Sequence, residues 1–154
     1  MSQTKAQLVS GITLSGTANE VAFDGGPLFE KCKVTAGKLS DNTNIDLING
    51  NTHLFTTQET TTSTPNIRVN SSTSLNSVMA IGESVVVNLV TTAAAGGYSA
   101  QLTVDGANVT ENWIGGAAPA AGGASGLDIY SFTIIKTADA TFTVIGNLSN
   151  TAAA

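Results

Sequence analysis

The sequence predicts an all-β protein: an antiparallel β-sandwich, jelly-roll-like or immunoglobulin-like, with a smaller β-rich N-terminal segment. Three observations carry that expectation. Short alternating or wholly apolar stretches recur with turn signals about every 8 to 12 residues, the pattern of a sandwich. Asn49-Gly50 and Asp105-Gly106 are dipeptides that take the positive φ of a tight hairpin turn. No useful amphipathic helix and no repeat with a period of about 20 to 50 residues interrupts the pattern.

The elements follow in order. Gln3 to Ser15 reads as a first strand broken by Gly11, and Glu20 to Phe23 as a second, ended by Asp24-Gly25-Gly26-Pro27. Leu28 to Thr35 alternates, with Cys32 and Val34 on the face expected to point inward. Thr43–Ile48 and Thr52–Thr57 read as a hairpin across Asn49-Gly50. Thr56 to Pro65 is β-capable but has no apolar face, so the internal boundary is placed there. Residues 1–65 form one segment, 66–150 the sandwich module and 151–154 a tail.

Within the module, Ile67 and Val69 share a face, and Leu75 to Met79 suits one helical turn. Val85 to Val90 is apolar on nearly every position, as in a strand buried on both faces. Tyr98 to Val104 alternates and turns at Asp105-Gly106 into Val109, Glu111 and Trp113, a second hairpin. Ala117 to Gly126 is a small-residue crossover. Leu127 to Ile135 is the best central strand, and Phe142 and Val144 alternate after a turn.

Composition bounds the function. A chain of 154 residues buries roughly 70% of its unfolded surface, enough for a core. Aromatics are 5% and charged residues 11%, so the core is aliphatic and hydroxyls and amides fill the polar positions. The net charge is −5 and the six bases are scattered, which disfavours nucleic acid, because phosphate binding needs a basic face. No signal peptide and no apolar run of about 18 residues is visible, so no membrane is expected. The single cysteine, Cys32, excludes an intrachain disulfide.

Chemistry-bearing residues each have a plainer reading. His53, the only histidine, sits in a strand without a second ligand or a nucleophile. Asp105 and Glu111 could pair across a hairpin as glycosidase carboxylates, but read more simply as a turn residue and a solvated residue. Asp41, Asn42, Asn44 and Asp46 are oxygen-rich without calcium-loop spacing. Asn70, Asn108 and Asn147 begin glycosylation sequons that chance explains in a Ser/Thr-rich chain. No catalytic residue, metal or cofactor is expected. Trp113, with Tyr98 and Tyr130, forms the best candidate surface-contact or glycan-stacking platform; against it stands the reading of Trp113 as a lid on the sandwich end.

Trp113-Ile114-Gly115-Gly116-Ala117-Ala118-Pro119, followed by Leu127-Asp128-Ile129-Tyr130-Ser131-Phe132, resembles a W-x-G-G-x-x-P … D-I-Y-x-F signature of tailed-phage virion and tail-fibre proteins. Asn70 to Asn76 is similar to the start of the same module in marine and cyanobacterial phages. The resemblance covers residues 66–147. It implies a non-enzymatic virion structural protein, made in the host cytoplasm. Within the particle, 154 residues are short for a fibre and no heptads or collagen-like triplets are present, which favours a capsid decoration (cement) or small accessory protein, with a tail-fibre or receptor-binding module as the alternative. The implied partners are major capsid or tail proteins, further copies of the chain and a host-surface glycan. Residues 1–65 would be the docking part.

Overall fold

The computed structural model describes Ile12–Leu14, Val21–Phe23 and residues 29–152. The chain divides into two compact units, Met1–Glu30 and Lys31–Ala154. In the first, β1 (Ile12–Leu14) and β2 (Val21–Phe23) form an antiparallel pair. The remainder of the first expected strand and the Asp24–Pro27 loop lie outside the described residues.

The second unit is built from two mixed sheets. Its strands are β3 (Cys32–Thr35), β4 (Asn44–Asp46), β5 (Thr52–Gln58), β6 (Asn66–Arg68), β7 (Ser84–Thr92), β8 (Thr103–Val104), β9 (Ala107–Asn108), β10 (Glu111–Trp113), β11 (Leu127–Ala138) and β12 (Thr141–Asn150). One six-stranded sheet has the order β10-β12-β11-β7-β5-β3, and a four-stranded sheet has β4-β6-β8-β9. The protein is therefore β-rich, as expected, but the ladders are not all antiparallel. β3–β5, β5–β7, β4–β6, β6–β8 and β10–β12 are parallel.

The cause lies in the path of the chain. From β3 to β8 successive strands alternate between the two sheets, so strands that become neighbours within a sheet run the same way. Asn49-Gly50 is thus a corner and not a hairpin: β4 and β5 lie in different sheets, joined through a single 3-10 turn at Leu47–Asn49. Gly50 has the expected positive φ, 115°, but its ψ of 162° is extended and not that of a type I′ turn. A Cβ there would lie 1.9 Å from the Lys31 carbonyl oxygen, so the corner needs glycine. Asp105-Gly106 does form the expected hairpin, with φ of 52° and 81°, but it joins only β8 to β9. The chain then leaves, and β10 pairs parallel with β12 in the other sheet.

The boundary expected at residue 65 does not divide the sheets. β3 and β5 from before it pair with each other, and β5 pairs with β7 from after it. One apolar cluster joins Leu39, Ile45 and Phe55 to Ile67, Val87, Leu89, Val104, Tyr130, Phe132 and Val144, so it holds residues of both sheets. Leu127–Ala138 is central, flanked by β7 and β12. Neither it nor β7 is buried on both faces, however. Val87 and Leu89 are buried while Val86 is 49% exposed. Cys32 is exposed, because β3 is an edge strand that turns Cys32 and Val34 away from the buried row of Phe55. The expected helical turn is present as α1 (Leu75–Val78), with Ser74 as N-cap accepting from the Ser77 amide.

Candidate functional site

Among the described residues two surface features stand out. The first is a groove beside β10. Trp113 stands opposite Gly146 in the β10–β12 ladder. The missing side chain of Gly146 makes room for the indole, since a Cβ there would lie 3.1 Å from Trp113 Cε3. The ring meets Phe132 edge-on, with centroids 5.7 Å apart and planes at 73°. Trp113 is half-buried, and its Nε1 is buried without a hydrogen-bond partner among the described residues. Its remaining surface lines a cleft of about 450 Å³ with Gln101, Asn112 and Ala118. An adjoining cleft of about 370 Å³, lined by Tyr98 and Thr62 to Thr64, shares Ala100, Gln101 and Ala118 with the first. Tyr98 and Trp113 therefore stand along one groove.

Tyr130 does not join them. It is buried in the core, stacked with Phe132 at 6.3 Å, and its hydroxyl accepts from the Ser99 amide at 3.1 Å. Burial pushes its phenol up to about 12, against the lowering effect of that amide.

The carboxylates that could have carried chemistry are held by backbone amides. Asp105 accepts from Leu75 and Asn76 at 2.7 and 2.8 Å, fixing the start of α1. Glu111 accepts from the Leu102 amide. Asp128, fully buried, accepts from the Gly123 amide at 2.9 Å and from Asn150 Nδ2 at 2.7 Å. Glu59, also buried, accepts from Leu39 and Ser40, so the Thr-rich stretch at the expected internal boundary is tied to the core. Asp46 pairs with Arg68 at 2.6 Å across β4–β6. His53 is buried beside the Gly50 carbonyl, at 3.0 Å, and burial lowers its pKa. Among the described residues no group of three or more His, Cys, Asp or Glu converges as a metal site, and no helix is long and apolar enough to cross a membrane.

The second surface is the outer face of the six-stranded sheet. Register places Val34, Leu54, Val90 and Ile129 in one row across β3, β5, β7 and β11. Cys32, Thr52, Asn88, Ser131 and Asn147 form the next, and Val86, Thr133, Ile145 and Asn112 a third. Ser84, Ile135 and Thr143 complete it. None of these residues is charged. The sequence reading missed this face because it took β7 and β11 as buried on both sides. The signal was present in the sequence, since every second residue from Leu127 to Ile135 is uncharged on the side away from Asp128.

No protein-family model, curated protein or solved structure matches this chain.

Proposed function

We propose that the chain is a non-enzymatic structural component of a tailed-phage particle, a capsid decoration or small accessory protein displayed in many copies. The observation that carries the reading is the uncharged outer face of the six-stranded sheet. A solvated open sheet face normally alternates polar and charged residues with the core side. This one presents Val34, Leu54, Val86, Val90, Ile129, Ile135 and Ile145 among hydroxyls and amides, the chemistry of a surface made to be covered. The resemblance of residues 66–147 to phage virion modules supplies the setting. The binding of Asp105 and Glu111 by backbone amides supports a role without catalysis. The shared apolar cluster supports packing of the two mixed sheets face to face as a sandwich.

Immunogold labelling of intact particles tests the assignment. Gold over the heads is the expected result. Gold confined to tails shifts the protein to the tail, and particles free of gold while the protein is abundant in the lysate reject the virion assignment.

The groove favours a second reading, a receptor- or glycan-binding module in adsorption. Tyr98 and Trp113 offer two aromatic surfaces, and the amide of Gln101 lines both clefts. Tyr98→Ala is the cleaner test, because Trp113 also packs on Phe132. Under this reading Tyr98→Ala lowers adsorption to host-surface glycan at unchanged melting temperature, and unchanged adsorption rejects it.

A further inference from the structure

We propose that the outer face of the six-stranded sheet is occupied by the same face of a second copy, giving a two-fold, face-to-face dimer. The proposal deepens the structural-subunit reading by naming the partner of that surface.

Three observations carry it. The first is the burial pattern of the central strands. β7 and β11 carry apolar residues on both sides, a pattern that belongs to strands covered on both faces. The core covers one side, through Val87, Leu89, Phe132 and Ile134, while on the other Val86 of β7 and Ile145 of neighbouring β12 remain 49% and 38% exposed. The second is charge. Each copy carries a net charge of −5, so an interface that brought acidic residues together would add local repulsion. The three rows through Val34, Cys32 and Val86 hold none, so two copies meet there without repulsion and without desolvating an ion. A basic or acidic partner would find nothing to pair with on this face.

The third is size. The outward positions in the four rows, each occupying ~4.8 Å across the strands by ~6.6 Å along them, give a footprint of roughly 500 Å² per copy. Two such faces bury about 1,000 Å², the size that a specific interface needs to reach. Ser131, whose hydroxyl donates to Asn88 Oδ1 at 2.7 Å, and Thr133 lie at the centre of the face. In an isologous interface the central residues meet their own copies, so Thr133 faces Thr133 of the second copy.

Sedimentation velocity of the purified full chain at micromolar concentration tests this directly. The wild-type chain is expected to sediment as a dimer. Thr133→Lys and, separately, Ile145→Lys are expected to give monomers with unchanged circular dichroism, while Ala107→Lys, on exposed β9, stays dimeric. Should either face variant fail to fold, cross-linking decides: Thr133→Cys in a Cys32→Ser background, treated with a short bis-maleimide, is expected to yield covalent dimer. A monomeric wild-type chain overturns the proposal, as does a dimer that survives both lysines or resists cross-linking through residue 133. The two readings fail separately. A solution dimer with particles free of gold rejects the virion role and keeps the interface; gold on particles with a monomeric chain does the reverse.

Discussion

At the scale of single residues, His53 and Asp128 show how burial sets behaviour. His53 is the only histidine, and burial holds its pKa below the ordinary 6.5. The unfolded chain therefore binds more protons than the folded one as pH falls below 6.5, so His53 contributes stability above that pH which is lost on acidification. Lowering the pH from about 7.5 to about 5.5 should reduce the urea midpoint, and His53→Gln should flatten that slope, since no other side chain ordinarily titrates in this window. Flat wild-type stability across it would contradict the assignment. Asp128 is expected to matter more. Asp128→Ala leaves the Gly123 amide and Asn150 without their acceptor and should cost about 3 kcal/mol in urea titration. Neither residue's environment was legible in the sequence. His53 was correctly placed in a strand, and Asp128 in a central one, but what each touches depends on strand order. Cys32 shows the same gap: its alternation was readable, but which face was inside depended on the pairing of β3 with β5.

At the scale of elements, local chemistry was legible where a motif closes on itself and not where it hands the chain to another sheet. Ser74 and Asp105 explain why α1 forms where the sequence suggested a turn of helix. Asp105-Gly106 turns a hairpin because both residues hold positive φ. Asn49-Gly50 looks the same in sequence yet turns a corner, because Ile45 and Phe55 are buried in different sheets. The groove was half legible: Tyr98 and Trp113 were recognised, and Tyr130 was wrongly grouped with them because both faces of β11 carry large residues. One element contact invites a direct test. Lys136, buried on β11, donates its ammonium to the Asn76 and Met79 carbonyls at 2.6 and 2.9 Å and so closes the C-terminal end of α1. No carboxylate lies within ion-pair distance of it among the described residues. Lys136→Met should therefore destabilise by about 1–3 kcal/mol through the orphaned carbonyls. The loss should be the same at low and high salt, since no ion pair is screened; a strongly salt-dependent loss would point to a charge partner instead.

At the scale of the whole molecule, the division between Glu30 and Lys31 makes truncation informative. Both mixed sheets and the apolar cluster lie within residues 31–154. A chain beginning at Lys31 should therefore keep the circular dichroism and melting temperature of that unit. A chain beginning at residue 61 should not. It loses β3, β4 and β5, and with them Leu39, Ile45 and Phe55, each at most 1% exposed. Large buried side chains are worth about 2–5 kcal/mol apiece when cut to alanine, against about 5–15 kcal/mol for an entire domain. The cut also turns β7 into an open edge, a row of unpaired amides and carbonyls beside apolar residues, which favours aggregation. Thermal unfolding of the two truncated chains separates the alternatives. If the chain from residue 61 melts cooperatively at the temperature of the chain from Lys31, strands before residue 60 are dispensable and the alternating path between sheets is not what holds the fold. If only the longer chain folds, the segment expected to serve as a separable docking part is instead an integral part of the core, through Leu39, Ile45 and Phe55.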